Sequence, residues 1–161
     1  MATSNVSAID QDTWQLISSA TPTASASSHS FSSISGYKTL MLAYKKVGTG
    51  AAANLYLRFN GDSTDRGYSG LANGYYDAGY FTTTGLGITG ESTTENSGYV
   101  VINNANSTNM FKTIQEGASF VTNKYGLIWL NNTDAISSVV IHTSTSTFSG
   151  TGTFYLYGIA G

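Results

Sequence analysis

The sequence predicts an all-β protein: an antiparallel β-sandwich of jelly-roll type with eight or nine short strands. Its apolar runs are short and rich in β-branched and aromatic residues, which is typical of strands. The eighteen glycines fall between these runs, where they indicate turns. No segment repeats apolar residues at helical spacing over three turns, and the runs recur at roughly 10 to 20 residues, as in sandwiches.

The expected strands follow from alternation of apolar residues along the chain. The first strand is expected at 13–18. The Ala/Ser/Thr-rich stretch 19–28 that follows is either a loop or a flat edge strand. The remaining strands are expected at 37–47, 54–60, 98–103, 110–116, 126–130, 135–143 and 153–159.

The 161 residues fit one domain with a sizeable core. Residues 1–12 form a polar N-terminal arm with no basic region and no apolar run, so no signal peptide is predicted. Residues 13–161 are expected to form a single β-sandwich domain. Within it, the Tyr- and Gly-rich segment 63–96 is interpreted as long loops or a hairpin insertion at the periphery.

Charged residues make up only 10% of the chain, and the net charge is −2. Lys45 and Lys46 are the only adjacent basic residues, so the clustered positive charge that nucleic-acid binding needs is missing from the sequence. The absence of cysteine excludes disulfides and thiolate zinc sites. Apolar runs of four to six residues are too short to span a membrane. We expect neither a nucleic-acid nor a membrane partner.

The sequence offers little for catalysis, and we expect a protein without enzymatic activity or cofactor. His29 and His142 could each serve a Ser-His-Asp triad, but no Gly-x-Ser-x-Gly motif is present, and histidines at strand ends or on the surface are the simpler interpretation. A glycosidase needs two facing carboxylates. The acids close together in sequence, which more often cap turns, are Asp62, Asp65, Asp77, Glu91 and Glu95.

The segment 60–65 spaces oxygen donors at alternate positions, loosely as in a calcium loop. It lacks the glycine at position six and the glutamate at position twelve of an EF-hand. A hairpin turn at Asn60-Gly61-Asp62 is the better interpretation, and we predict no bound metal.

An aromatic cluster in the segment 63–96 is the most suggestive local feature. Tyrosine offers a flat apolar face and a hydroxyl at low entropy cost, which suits contacts with glycans or proteins. The same side chains could instead pack beneath a long loop, and the sequence leaves both options open. The candidate contact residues are Tyr68, Tyr75, Tyr76, Tyr80 and Phe81.

Three motifs resemble a widespread group of tailed-bacteriophage structural proteins. They are Phe31-Ser-Ser-Ile34-Ser-Gly-Tyr37-Lys-Thr-Leu40, Leu55-Tyr-Leu-Arg58-Phe59-Asn60-Gly61-Asp62, and Phe154-Tyr-Leu156-Tyr157-Gly158-Ile159. The opening Trp14-Gln-Leu-Ile17 also looks like the first strand of that group. The resemblance covers most of the chain except 63–96, and Ser35 stands where the pattern often has proline. It implies a virion component.

The leading hypothesis is a capsid decoration (cement) protein on the outer surface of a phage head. It would contact the major capsid protein or other virion proteins, form a homo-oligomer with a trimer favoured, and be located in the virion after assembly in the bacterial host cytoplasm. Arg58, expected to point outward, could contact a carboxylate across an interface. Candidate interface or structural residues are Trp14, Arg58, Asn60 and Asp62.

The alternative is a tail-fibre or baseplate module that recognises a host-surface glycan through 68–81. A third hypothesis is an enzyme, such as a depolymerase acting on host polysaccharide, but no general acid and base stand out in the sequence.

Overall fold

The computed structural model describes residues 13–63, 68–72, 75–77, 86–89, 94–118, 124–129 and 133–161. All regular elements in these ranges are β-strands. They are β1 (Gln15–Ala20), β2 (Ser28–Phe31), β3 (Tyr37–Val47), β4 (Leu55–Phe59), β5 (Tyr68–Ala72), β6 (Tyr75–Asp77), β7 (Leu86–Gly87), β8 (Asn96–Asn103), β9 (Lys112–Ala118), β10 (Lys124–Trp129), β11 (Val139–Thr143) and β12 (Thr153–Ala160).

The strands form two antiparallel sheets. The large sheet has the order β1-β12-β3-β8-β9-β10-β5-β6, and the small sheet has the order β2-β11-β4-β7. The layers β1-β12-β3-β8 and β2-β11-β4-β7 have the strand connectivity of a jelly roll, with β9, β10, β5 and β6 added beside β8. The predicted fold class is therefore confirmed.

Eight of the described strands lie wholly outside 63–96, and a ninth, β8, begins at its last residue, Asn96, which agrees with the expected number. The segment 63–96 contributes three short strands, β5, β6 and β7. The first two extend the edge of the large sheet and the third is the edge of the small sheet. Within this segment β5 pairs antiparallel with β6. Whether the segment as a whole is an insertion of loops or a hairpin stays a prediction, because much of it lies outside the described residues.

The two sheets pack through one hydrophobic core built by alternation. On β3, Leu40, Leu42 and Tyr44 are buried while the intervening residues face the other way. On β4, Leu55, Leu57 and Phe59 have no exposed surface. Their partners in the same core are Phe31, Leu86, Ile88, Val100, Ile102, Ile114, Val139, Ile141, Phe148, Phe154 and Leu156. Each fully buried aliphatic or aromatic side chain contributes about 1.5–3 kcal/mol of transfer free energy.

Some strand boundaries differ from those expected. The prediction for 37–47 matches β3, whereas β9, β10 and β11 begin two residues later, two earlier and four later than predicted. In 135–138 the apolar residue Ile136 is buried, but its backbone bonds to Ala105 rather than to a strand. The stretch 19–28 divides into the end of β1, a loop and the first residue of β2.

No helix in the described part of the chain is long and apolar enough to cross a membrane.

Candidate functional site

The predicted aromatic contact residues lie at one edge of the large sheet, as far as they are described. Tyr68 begins β5, and Tyr75 and Tyr76 begin β6, where they pair with β5 residues. Tyr80 and Phe81 lie outside the described residues. Whether these five side chains make a contact patch therefore stays a prediction.

The central strands of the large sheet carry an apolar row that the sequence interpretation did not single out. Cross-strand pairing aligns Leu16 of β1 with Tyr157 of β12, then with Met41 of β3, Val101 of β8 and Gln115 of β9. Their neighbours along these strands are the buried core residues, so alternation directs this row away from the core. One continuous row thus crosses five strands on the outer face.

A second row lies beside the first. It aligns Ser19, Tyr155, Ala43, Tyr99 and Gly117 across the same five strands. The Tyr99 ring lies over Gly117, because a Cβ at that glycine would come within 2.4 Å of two ring carbons. Glycine at this position therefore allows the ring to lie flat along the sheet rather than stand away from it.

We call the resulting surface the tyrosine face, formed by Leu16, Met41, Tyr99, Val101, Tyr155 and Tyr157. Leu16 is 55% exposed and Tyr99 is 49% exposed, while the Tyr155 and Tyr157 rings stack with centroids 6.4 Å apart. Its border on one side is the uncharged third row Ile159, Thr39, Asn103 and Thr113.

Neither row of the tyrosine face nor this third row carries a charged side chain, and Lys45 of β3 follows beyond Ala43. With strands about 4.8 Å apart, the face is about 20 Å wide. It is an uncharged, aromatic surface on which Leu16 and Tyr99 are exposed and Met41, Val101, Tyr155 and Tyr157 are half-buried.

Of the candidate interface or structural residues, Trp14 and Arg58 lie on the surface, whereas Asn60 makes hydrogen bonds within the protein. Trp14, just before β1, is 42% exposed, and Arg58 lies on the outer side of the small sheet beside Val140. Asn60 is structural: its Oδ1 accepts hydrogen bonds from the backbone N–H groups of Ser137 and Ser138, at 2.8 and 3.2 Å.

The turn at Asn60 has the dihedral angles that its motif predicts, but the predicted hairpin is wrong. β4 pairs with β11 and β7, whereas the next described strand, β5, pairs with β10 and β6 in the other sheet, so the turn directs the chain from one sheet towards the other. Asn60 and Gly61 both have positive φ, at 52° and 71°, and the Asp62 N–H donates to the Phe59 carbonyl at 2.8 Å. The Asn60 amide also donates to the carbonyl of Ala135. The Asn60 side chain thus links the turn to the loop before β11 by hydrogen bonds. Its Oδ1 accepts from protein donors, so it is not available as a ligand for calcium.

His29 lies in a cleft between the edge strands β1 and β2. Its ring meets Phe31 edge-on at 4.7 Å and stacks on Phe154 at 6.0 Å. Its Nε2 is buried without a hydrogen-bond partner, and burial lowers the pKa of the imidazole. Among the described residues, those that line the cleft include no carboxylate, so these residues by themselves do not form a triad.

The second histidine, His142, has a different environment. Its ring stacks on Tyr56 with centroids 5.4 Å apart, and its Nδ1 lies 3.3 Å from the Thr143 carbonyl oxygen. Within the described residues, no group of three or more histidine, aspartate or glutamate side chains could hold a metal ion.

Comparison with known proteins finds no matching family model, no similar curated protein and no similar solved structure. The described part of the chain is a jelly-roll sandwich whose large sheet carries an uncharged aromatic outer surface, the tyrosine face.

The signal that could have revealed this face was present in the sequence. The last strand alternates Phe154, Leu156 and Gly158 with Tyr155 and Tyr157, so both of its faces carry apolar groups. That pattern predicts a central strand or a strand buried against a partner, and β12 lies between β1 and β3. The neighbours of the two tyrosines come from distant parts of the chain, and only strand pairing identifies them.

Proposed function

We propose that this protein is a bacteriophage virion structural protein, a decoration protein that binds the outer surface of the head through the tyrosine face. The observation that carries the docking part is the uncharged, outward-facing row Leu16–Tyr157–Met41–Val101, in which Leu16 is exposed and the other three side chains are half-buried. The virion part rests on the Arg58–Asp62 and Leu156–Ile159 motifs. The jelly roll is compatible, since viral capsid proteins use it, but that is an analogy of fold.

The physical argument for docking is that burial of the tyrosine face gains free energy from apolar surface and removes water from no charged group. Burial of the tyrosine face against another protein removes apolar surface from water, at about 25 cal/mol per Å². It strips no ion of its hydration, because the rows carry no charge. Tyrosine is among the residues enriched at interface hot spots, and its hydroxyl can remain hydrogen-bonded at the rim.

The test is binding of the purified full chain to phage heads that lack it. We expect wild type to cosediment with the heads, and the double variant Tyr155→Ser/Tyr157→Ser to lose binding by about 30-fold or more, as expected for a hot spot. Tyr56→Ser is the matched control on the outer side of the small sheet and should bind like wild type.

Cryo-electron microscopy of the virion gives an independent answer. Density for this chain on the head, with the tyrosine face buried, would support the proposal. Density only in the tail would overturn the decoration role. In the cosedimentation experiment, binding of Tyr155→Ser/Tyr157→Ser equal to that of wild type would overturn the tyrosine face as the docking surface.

A second candidate function is recognition of a host-surface glycan by a tail-fibre or baseplate module. The observation that favours it is the stacked Tyr155–Tyr157 pair on the outer face of the large sheet, which also carries the amide of Asn103 two strands away and the hydroxyl of Thr113 three strands away. Sugars stack on aromatic rings and hydrogen-bond to such groups.

Adsorption to host cells separates the two candidates. A glycan receptor predicts that Tyr75→Ala/Tyr76→Ala/Tyr80→Ala or Tyr155→Ser/Tyr157→Ser abolishes adsorption and that soluble host polysaccharide competes with wild type. Unchanged adsorption by both variants, with no competition, would argue against glycan recognition.

A further inference from the structure

The turn after β4 is built on the dipeptide Asn60-Gly61, and its backbone conformation favours that pair. Asn60 has a φ of 52° and Gly61 a φ of 71°. Two successive positive φ values favour asparagine followed by glycine, because asparagine tolerates the left-handed region and glycine has no Cβ to strain it. A Cβ at Gly61 would meet nothing within 4 Å, so backbone conformation rather than packing explains the glycine.

The same dipeptide is chemically labile. Asparagine is heat-sensitive, and a following glycine has no side chain to hinder approach of its backbone nitrogen to the asparagine amide. In that reaction the Gly61 nitrogen bonds to Cγ of Asn60, the Cγ–Nδ2 bond breaks, and Nδ2 leaves as ammonia with the Gly61 N–H proton. Water then opens the five-membered imide at one of its two carbonyls, which gives aspartate or isoaspartate.

In the folded protein, hydrogen bonds hold Asn60 to residues 135–138. Its Oδ1 accepts from the N–H groups of Ser137 and Ser138, at 2.8 and 3.2 Å, and from the Ser137 hydroxyl at 3.1 Å. Its Nδ2 donates to the Ala135 carbonyl at 3.0 Å, and its backbone N–H donates to the Ser138 carbonyl at 3.0 Å. We call this set of bonds the Asn60 clamp.

We propose that Asn60 is a latent self-modification site, which the Asn60 clamp protects and which cyclises onto the Gly61 nitrogen when residues 135–138 move away. Cyclisation turns the side-chain amide towards its own main chain and expels Nδ2, so the amide cannot keep its bonds to the loop before β11. The reaction therefore requires a local opening of the fold. This inference does not depend on the surface to which the protein docks.

The reaction is irreversible, and its products do not restore the clamp. Aspartate at position 60 has no amide N–H, so a carboxylate oxygen would face the Ala135 carbonyl oxygen. Isoaspartate adds a methylene group to the main chain, inside a turn that the Asp62 N–H closes on the Phe59 carbonyl at 2.8 Å. Modification thus weakens the link between the end of β4 and the loop before β11 permanently.

Peptide mass spectrometry of the full chain tests the protection. The native protein and the protein in denaturing urea are incubated in the same mildly alkaline buffer, and conversion of the amide to an acid at position 60 is followed with time. We expect native Asn60 to react at least about 100-fold more slowly than unfolded Asn60. Asn73-Gly74, a second Asn-Gly pair in the sequence, is the reference in urea, where both sites should react at similar rates.

Two serine variants test the clamp itself. Ser137→Ala removes one donor to Oδ1 at an exposed position and leaves Asn60-Gly61 unchanged, so it should raise the native rate by about fivefold. Ser138→Ala is the matched control, because it keeps the backbone N–H that bonds Asn60, and it should react like wild type. In urea both variants should react at the wild-type rate.

The variant Asn60→Asp imitates one product. Its unfolding equilibrium constant, measured by urea denaturation, should be at least about tenfold higher than that of wild type. Asn109→Asp is the matched control, since the exposed Asn109 accepts from the Ser107 hydroxyl through an oxygen that aspartate also has. The control should unfold like wild type.

Three results would overturn the proposal. A native rate at Asn60 equal to the rate in urea would show that the fold gives no protection. Equal native rates in wild type and Ser137→Ala would show that the clamp is not the barrier. Equal stability of Asn60→Asp and Asn109→Asp would show that modification leaves the turn intact. Binding to phage heads is measured separately, so failure of the docking proposal and failure of this one are distinguishable.

Discussion

Lys112 shows how one buried charge can organise a surface. Its ammonium replaces water with three backbone carbonyls, two of them from the β8–β9 loop and one from Thr133. Burial lowers the pKa of this amine, and the nearby carboxylate of Asp134 opposes that shift. A buried lysine is tolerated here because its donors are satisfied by acceptors that the loop would otherwise leave unpaired.

Replacing Lys112 with methionine keeps the aliphatic volume and removes the donors. We expect the free energy of unfolding to fall by about 2–3 kcal/mol, because buried carbonyls lose their charged hydrogen-bond partner. Urea denaturation followed by circular dichroism measures this. The exposed Lys45→Met is the control and should change stability by less than about 0.5 kcal/mol. A Lys112→Met protein as stable as wild type would show that the network contributes nothing to the fold.

At the scale of the element, β12 depends on the turn that precedes it. β12 is paired on both sides, with β1 and β3, so an error in its position would be transmitted to both neighbours. Gly152, immediately before β12, has a φ of +78°, and a Cβ there would lie 2.3 Å from the Lys46 carbonyl oxygen. Two separate constraints, dihedral angle and close approach, therefore require glycine at this position.

Gly152→Ala should lower the free energy of unfolding by about 2–4 kcal/mol, the sum of left-handed strain and a backbone clash. Gly36→Ala is a matched control, since Gly36 also has a φ of +78° but a Cβ would meet nothing within 4 Å. We expect the control to cost about 1–2 kcal/mol, from strain alone. Urea denaturation measures both losses of unfolding free energy. Equal losses for the two variants would show that the clash between the new Cβ and the Lys46 carbonyl costs no stability.

At the scale of the whole molecule, His29 links stability to pH because it lies between the two sheets. Burial lowers its pKa from 6.5 in the folded state, so the unfolded chain binds the proton more readily. The contribution to stability is complete well above pH 6.5, where the imidazole is neutral in both states, and is lost as pH falls through 6.5 towards the folded pKa.

Wild type should therefore lose stability between about pH 7.5 and 5.5, and His29→Asn should lose less over the same range. Urea denaturation at both values, with His142 present in both proteins, isolates the contribution of His29. An equal pH dependence in wild type and variant would contradict the assignment.

Much of the fold was predictable because strand formation and turn chemistry are local. The alternation in 37–47 predicts β3 with its observed bounds, and Asn60-Gly61 predicts a turn with two positive φ values. The end of the first strand was missed because Ser19 and Ala20 carry no distinctive pattern, and β1 persists there by pairing with Tyr155 and Phe154.

The site was less predictable than the fold. The clustered tyrosines of 63–96 predict a contact surface there, whereas the described aromatic surface combines Tyr155 and Tyr157 of β12 with Tyr99 of β8. Tyr157 and Tyr99 are 58 positions apart in the numbering and belong to one face only because β3 lies between their strands. The buried role of Lys112 was equally hidden, since a lysine in sequence is normally read as solvent-exposed.

The sequence by itself determined the class of this protein: all-β, uncharged for most of its surface, and free of cysteine chemistry. Those properties follow from composition and from side-chain alternation with a period of two, which act over a few residues. The tertiary structure decided which strands are neighbours, and so created the tyrosine face, the β1–β2 cleft and the Lys112 network. Each of these depends on contacts between distant segments, and such contacts exist only once the sheets have paired and packed.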